Sequence, residues 1–410
     1  MRVTLEAARS WWTRKQGLAA PQEGPLEDVV ARTGWLRTLG GADVYLALRA
    51  RVPGTPRKDL DAACEAHRLQ VLPAVRSCIY LVPRAHAALA LRQAESTWRP
   101  RTERELEKAG ARWTEVEATA RAVHDTLAAG PLTTDALRRA LPGGAVRSLG
   151  EAGKKVGISS TLPPALRALE LQGLVERTLE GGRLDTERYL WRRSKESAFA
   201  GASLPAEGVD LVARLLTIFL SQTGPVTLRH FAEWAGVSLT DARKALGRVP
   251  ARAMAVEGYA DDALILEDEA AATASVPPVS GPVLLAFEDN LLTAHGGPGV
   301  HVPQGHGARP VDIWGMGSAR PLDKARHVAQ RTLLVDGKLA GFWEYDPDAR
   351  EVVVAPFDPL PAKVRKRLDA LATETARFLG EEVGHARSFS LDTDEQVRER
   401  ARALRKAAGR

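Results

Sequence analysis

Residues 159–193 read SSTLPPALRALELQGLVERTLEGGRLDTERYLWRR, and this stretch decides the fold. The hydroxyl residues at 159–161 open a predicted helix that runs to Gln172, and Gly173 ends it. Two β-like runs follow, at 174–179 and 188–191, with a turn at residues 180–183 between them. The stretch therefore predicts a helix followed directly by a two-stranded hairpin.

Two more helices are predicted upstream of this stretch. Apolar spacing from Val116 to Leu127 predicts the first, and residues 131–135 form a turn and N-cap for a helix ending near Leu141. Three helices followed by a hairpin is the order of a winged helix. In that fold the third helix commonly enters a DNA major groove while the hairpin touches the backbone.

The same pattern occurs again, and a weaker copy lies at the N-terminus. The second clear copy has helices at 211–220, 227–234 and 239–246, the last capped by Ser238, and a wing at 254–266 with its tip at Gly258. The weaker copy has a short helix at 60–64 and a strand at 75–82 that Pro83 ends. A charged connecting helix is expected between residues 95 and 112, with linkers at 194–208 and 267–282.

The sequence after residue 282 favours a β unit with terminal helices. Its predicted strands lie at 283–287, 331–335, 339–345 and 351–355, and the Asp336-Gly337 pair suits a type I′ hairpin turn. We expect a long mobile loop at 295–318, a helix at 361–380 and a charged tail at 395–410. The predicted fold class is therefore α+β, with tandem winged-helix domains at 1–112, 113–195 and 205–270 followed by a C-terminal β unit at 280–410.

Composition favours a polyanionic partner and excludes several other classes of protein. The 410 residues carry 57 Lys+Arg against 51 Asp+Glu, a net charge of +6, although Arg-rich composition also follows from a GC-rich genome. The only cysteines, Cys64 and Cys78, are predicted to be buried thiols and not a disulfide framework. No signal peptide or membrane-length apolar run is present, so we expect a cytoplasmic protein, as a monomer, without membrane association.

No pattern of metal ligands or phosphate-binding glycines stands out. His295, His301 and His306 share a glycine-rich segment but lack a carboxylate at a fixed spacing, so no metal site is predicted. The glycines do not follow a phosphate-binding pattern, so no nucleotide or other cofactor is expected.

Double-stranded DNA is the predicted partner, bound through hydroxyl groups at a helix start and through arginines. The alternative is that the hydroxyls are an N-cap, that the wing arginines are solvated, and that Arg76 pairs with an internal carboxylate. The predicted DNA-binding residues are Arg37, Arg76, Ser159, Ser160, Thr161, Arg167, Arg183 and Arg188.

Five segments together resemble the winged-helix DNA-binding family that includes the AlkZ and YcaQ DNA glycosylases. They are residues 45–51 (YLALRAR), 75–83 (VRSCIYLVP), 224–236 (GPVTLRHFAEWAG), 284–289 (LLAFED) and 335–343 (VDGKLAGFW). The resemblance implies tandem winged helices around duplex DNA and a C-terminal β unit. It also implies removal of alkylated bases and unhooking of interstrand crosslinks.

The catalytic motif of that family is not matched. The resemblance implies Gln-x-Gln or Gln-x-Asp before the Tyr45 segment, but the corresponding positions hold Arg37 and Leu39. Asp43 is the only nearby carboxylate and is our candidate catalytic residue, with an N-cap role as the alternative. Three hypotheses stay open: a DNA glycosylase, a non-catalytic damage binder and a transcriptional regulator. We expect retained binding without excision of simple methylated bases unless the Asp43 carboxylate faces the DNA.

Overall fold

The computed structural model describes residues 1–186, 188–202, 208–313 and 318–409, which form helices and strands in a mixed α+β arrangement. Residues 203–207 of the predicted linker and 314–317 of the predicted loop lie outside these ranges. The first unit contains α1 (Leu5–Lys15), α2 (Leu26–Thr33), α3 (Asp43–Arg49), α4 (Arg57–Glu65) and α5 (Arg84–Lys108), with strands β1 (Arg2–Val3), β2 (Leu36–Arg37), β3 (Leu69–Pro73) and β4 (Ile79–Pro83).

The predicted strand at 75–82 is wrong over its first half. Residues 75–77 form a tight turn in which Arg76 and Ser77 both adopt left-handed backbone, with φ of 54° and 58°. Strand β4 begins only at Ile79 and pairs with β2 on one side and β3 on the other. Apolar residues stand on both sides of the turn, at Val75 and from Cys78 onward, so the sequence pattern alone does not reveal it.

The second unit has the predicted order of elements and one additional helix. The hairpin pairs from Val175–Arg193 to Leu179–Tyr189, and a short strand at Leu132–Thr133 pairs with the second hairpin strand, which is therefore central in the sheet. The short α8 was not predicted because its six residues contain two glycines. The elements are α6 (Trp113–Thr126), α7 (Thr134–Ala140), α8 (Gly150–Lys155) and α9 (Leu162–Leu171), with β5 (Leu132–Thr133), β6 (Val175–Leu179) and β7 (Tyr189–Arg193).

In the third unit β1 from the N-terminus adds a parallel strand to the hairpin. The predicted linker at 267–282 is wrong at Ala270–Ala274, which forms a helix that packs on α1. Alanine-rich sequence suits a helix as well as a linker, and burial of Ala270 decides between them. The elements are α10 (Val209–Thr223), α11 (Leu228–Ala235), α12 (Leu239–Leu246) and α13 (Ala270–Ala274), with β8 (Ala251–Val256) and β9 (Ala260–Leu266).

The C-terminal unit holds the four predicted strands in one antiparallel sheet, side by side in the order in which they follow along the chain. Asp336 and Gly337 have φ of 53° and 75°, as a type I′ turn requires. The predicted mobile loop is wrong at its start, because His295 and His301 are buried. The elements are β10 (Pro282–Leu285), α14 (Asn290–Thr293), β11 (Pro310–Asp312), β12 (Ala319–Pro321), β13 (Arg331–Val335), β14 (Lys338–Asp346), β15 (Glu351–Pro356), α15 (Ala362–Arg377) and α16 (Asp394–Ala407).

The apolar cores cross the boundaries between these units. One core joins Trp35 of the first unit to Phe219 and Phe231 of the third. Another joins Tyr45 of the first unit to Trp343 of the C-terminal sheet. The first unit therefore packs against both the third and the C-terminal units, and a polar pocket lies where the three meet.

Candidate functional site

Glu288, in the segment between β10 and α14, lines a polar pocket. Its side chain is 3% exposed, and its Oε2 accepts hydrogen bonds from Arg37 Nη1 at 2.9 Å and His327 Nδ1 at 2.8 Å. Its φ is 58°, a left-handed conformation that costs about 1 kcal/mol or more for a residue with a side chain. Strained residues of this kind collect at functional sites, where the surrounding structure holds them in place.

The neighbours of Glu288 in sequence fix its position. The Phe287 amide donates to the Asp43 carboxylate at 2.7 Å. Asp289 forms a two-pronged ion pair with Arg51, at 2.8 and 3.0 Å, and both side chains are fully buried. The strained residue is therefore held between two buried anchors.

Asp43, the candidate catalytic residue of the sequence analysis, belongs to one of those anchors. Its two oxygens accept hydrogen bonds from Arg331 at 2.9 and 2.8 Å, and the residue is 7% exposed. Arg331 also binds Glu344. In this arrangement the Asp43 carboxylate is engaged inside the protein, and it does not line the pocket.

Arg37 reaches the pocket because β2 pairs with β4. In that register Arg37 lies opposite Tyr80, which is buried and lines the same pocket. Arg76 stands at the tight turn that precedes β4 and is exposed, with its guanidinium beside the Tyr80 hydroxyl. Two of the predicted DNA-binding arginines, Arg37 and Arg76, are thus brought together at one site.

The turn that carries Arg76 is held by neighbouring units. Arg167 of α9 donates to the Ser77 carbonyl at 3.4 Å. Gly236 of the third unit packs so closely that a Cβ there would lie 3.0 Å from Arg76 Cγ. Arg167, which is also a predicted DNA-binding residue, links the second unit to this turn and lies 3.7 Å from Glu170.

Helix α11 supplies the opposite wall of the pocket. Trp234 packs on Phe219 and Trp35, with ring centroids 4.7 and 5.8 Å apart. Burial lowers the pKa of His230, so this imidazole is neutral at pH 7. Glu233 on the same helix pairs with Arg326 at 3.2 Å, and Arg326 keeps much of its side chain in solvent.

The three hydroxyl residues at 159–161, just before α9, differ in their exposure to solvent. Ser159 is exposed, whereas Ser160 and Thr161 are buried. The Thr161 hydroxyl lies 2.7 Å from that of Thr119 and accepts from the Arg147 amide at 3.1 Å. A phosphate contact at this helix start is open to Ser159 and would require unpacking of the other two.

The predicted wing arginines also have different surroundings. Arg183 binds the Asp185 carboxylate and the Val383 carbonyl, and His385 donates to the same carboxylate at 2.8 Å. The tip of the hairpin in the second unit therefore packs on the C-terminal unit. Arg188 is exposed and directly precedes β7.

His295 and His301, two of the three histidines in the glycine-rich segment, are buried in the apolar interior. His295 stacks on Trp12 with centroids 4.1 Å apart, and its Nε2 faces the Thr223 carbonyl at 3.0 Å. Burial lowers the pKa of His295 to about 3 and that of His301 to about 4. Across residues 1–186, 188–202, 208–313 and 318–409 no group of three His, Cys, Asp or Glu side chains has a metal-binding arrangement.

Cys64 and Cys78 are both free and partly buried, packed against different apolar cores. Within the described ranges, no helix combines the length and apolar character that crossing a membrane requires.

Sequence reasoning missed Glu288 and His327. The available signal was a carboxylate pair, Glu288-Asp289, placed between a buried strand and a helix start. His327 lies in irregular chain and has no periodic pattern around it, so only the three-dimensional structure brings it to the pocket.

A family of known proteins matches the part of the chain that forms this pocket. The family model described as DNA glycosylase AlkZ-like matches residues 30–378. No curated protein matches the sequence. Among solved structures, the chain is similar to the Streptomyces sahachiroi DNA glycosylase AlkZ, with a TM-score of 0.71 and 19% identity over 92% of this chain and 97% of that one. The structural likeness concerns the fold, and the family match includes Arg37, Asp43 and Glu288.

Proposed function

Because this chain belongs to the AlkZ-like family of DNA glycosylases, we propose that it acts in DNA repair and hydrolyses the N-glycosidic bond of a damaged nucleotide in duplex DNA. The observation that carries this proposal is Glu288. Its carboxylate is buried on a strained residue and lines a pocket that also contains Arg37, Arg76 and Arg326.

In the proposed reaction the damaged nucleotide leaves the base stack and enters the pocket. The C1′–N bond breaks and its electron pair departs with the base. The oxygen of a water molecule bonds to C1′, and the proton that this water loses balances the charge on the base. Positive charge develops on the sugar during these steps, and a preorganised carboxylate stabilises it. We assign that role, and the orientation of the water, to Glu288.

Arg37 and His327 are positioning residues in this proposal. Their hydrogen bonds hold the Glu288 carboxylate in one orientation. The resemblance to the family implies a water-handling glutamine at position 37, and here an arginine supports a carboxylate from another segment. Glu288 therefore takes the water-orienting role that the family assigns to position 37, and Asp43 has a structural role.

Duplex DNA is the proposed partner. We also propose that residues 113–195 and 205–270 are winged-helix domains, that residues 1–112 form a related domain, and that residues 280–410 form a β unit. Arg76, Arg326, Ser159 and Arg188 are exposed or partly exposed and are the proposed DNA contacts. The net charge of +6 supports electrostatic binding. We further propose a cytoplasmic monomer without a nucleotide cofactor, on the sequence features described above.

A non-catalytic damage binder is the second candidate function. The observation that favours it is that both Glu288 oxygens already accept hydrogen bonds, Oε1 from His327 at 3.1 Å and Oε2 from Arg37. A carboxylate occupied in this way has fewer lone pairs left for a water molecule.

The test measures abasic-site formation in duplexes that carry a methylated base, an interstrand crosslink or an oxidised base, with mild alkali to reveal the product. We expect wild-type protein and the control Lys366→Ala, on exposed α15, to form product. Glu288→Gln should be about 100-fold slower or more, with DNA binding unchanged. Damage-selective binding without product from any duplex would support the second candidate. Binding to one sequence irrespective of damage would support a regulator.

A further inference from the structure

The pocket around Glu288 is lined by more cations than carboxylates. Three arginines, Arg37, Arg76 and Arg326, stand against two carboxylates, Glu233 and Glu288, so these five side chains carry a formal charge of +1. A base that enters the pocket therefore meets a positive environment.

Both carboxylates of the pocket are already engaged in ion pairs, so they are less available to a ligand than Arg76 is. Glu288 pairs with Arg37 at 2.9 Å and Glu233 pairs with Arg326 at 3.2 Å. Arg76 is exposed, and its guanidinium lies beside a phenol, that of Tyr80. The pocket thus offers hydrogen-bond donors to a ligand more readily than it offers acceptors.

Damaged bases fall into two classes that require opposite environments. Purines alkylated on a ring nitrogen are cationic in DNA and depart as neutral molecules, so a positive pocket opposes their entry. Oxidised pyrimidines and ring-opened purines are neutral and rich in carbonyls, and they depart with negative charge. Donors aimed at those carbonyls stabilise the departing charge in the transition state.

We infer that this pocket selects neutral, carbonyl-bearing damaged bases over cationic alkylated ones, with Arg76 as the donor that recognises a carbonyl of the base. This inference rests on the proposed function and names its substrate class. Trp234 lines the same pocket and supplies an aromatic side chain against which a flat base packs.

The turn that carries Arg76 makes this donor preorganised. The left-handed residues 76 and 77 place the side chain, and contacts from Arg167 and Gly236 hold the turn from two other units. A donor fixed before the substrate arrives loses little freedom on binding, so it discriminates more strongly than a mobile surface arginine.

The test uses a matched pair of lesions in one duplex sequence. A duplex with 7-methylguanine carries the cationic base, and alkali converts the same base into its neutral ring-opened formamidopyrimidine. We would measure single-turnover excision of both by wild-type protein, Arg76→Glu, Arg76→Lys and the control Lys366→Ala. Binding to each duplex is measured in parallel, so that loss of DNA affinity is separated from loss of base selectivity.

We expect wild type and Lys366→Ala to excise the neutral lesion at least about tenfold faster than the cationic one. Arg76→Glu changes the formal pocket charge by two and should lower that ratio about tenfold, while Arg76→Lys should retain most of it. Equal excision of both lesions, or faster excision of 7-methylguanine, would overturn the inference and leave the proposed function standing. A ratio that Arg76→Glu does not change would remove Arg76 as the recognising residue. Excision of neither lesion nor of any other damaged base would overturn the proposed function and the inference together.

Discussion

The Nη1 atom of Arg37 lies 2.9 Å from the Oε2 atom of Glu288, across 251 positions of the chain. Both side chains are largely withdrawn from solvent, at 17% and 3% exposure. Because water has little access to this ion pair, it cannot readily solvate one partner when the other is removed. The cost of removing one partner should therefore exceed the value of a surface ion pair.

Removal of either partner alone should lower the free energy of unfolding. We expect Arg37→Gln and Glu288→Gln each to cost about 1 to 3 kcal/mol, because each change leaves a buried charge with one partner fewer. The double variant should cost less than the sum by about 1 kcal/mol or more. Urea titration of the four proteins measures this coupling. Additive losses would show that the pair is energetically independent.

Replacement of Asp43 should act on stability and not selectively on chemistry. Asp43→Asn leaves the buried Arg331 with one carboxylate, Glu344, and removes charge-assisted hydrogen bonds. The expected cost is about 3 to 5 kcal/mol. Excision per folded molecule should stay within a few-fold of wild type, after correction by the folded fraction from circular dichroism. A stable variant with abolished excision and intact binding would instead make Asp43 the catalytic residue.

Acid should destabilise the protein through two buried histidines. Their folded pKa values, about 3 for His295 and about 4 for His301, lie below the ordinary value near 6.5. The folded state favours the neutral imidazoles. The stability that these two histidines contribute to the protein is therefore complete above pH 6.5, and it is lost as the pH falls toward their folded pKa values. Between pH 7 and pH 5 we expect a loss of roughly 2 to 4 kcal/mol. Urea titrations at several pH values measure it.

The matched controls for this pH effect are single histidine variants. His301→Gln should remove about half of the loss below pH 6.5, because His295 keeps its own share, whereas His124→Gln, at a more exposed position, should leave the loss unchanged. A loss of stability that persists unchanged in His301→Gln would assign the effect to other groups.

Binding to duplex DNA should weaken by orders of magnitude as salt rises from about 50 to 200 mM, if several phosphates are contacted. Arg188→Ala should weaken every duplex to a similar degree and reduce the salt slope by about one. Arg183→Ala should chiefly lower stability, because its guanidinium binds Asp185 and the Val383 carbonyl. Fluorescence anisotropy and urea titration distinguish the two effects. Affinity that does not depend on salt would contradict the electrostatic account.

Local pattern predicted most helices and hairpins of this protein. The helix at 162–171, the Asp336-Gly337 turn and the four C-terminal strands follow from caps, glycine positions and apolar periodicity. The strand predicted through Arg76 failed, because a left-handed turn at two residues with side chains violates the local preference on which such predictions rest.

The candidate site was only partly predictable for a related reason. Arg37 and Arg76 were named from the sequence, but the pairing of β2 with β4 decides that they meet. Glu288 and His327 enter through contacts between segments distant in sequence, and burial divides Ser159 from Thr161. These relationships depend on packing between units, which hydrophobic periodicity does not encode.

The buried ion pair between Arg51 and Asp289 has a consequence for synthesis on the ribosome. Arg51 is completely enclosed, and its carboxylate partner follows 238 residues later. At typical elongation rates that interval lasts roughly 10 to 50 s. During that time the emerging N-terminal segment holds an uncompensated guanidinium and must keep it hydrated, so its native packing waits for the C-terminal half. The first unit is therefore expected to complete its native packing only after the segment that carries Asp289 has emerged.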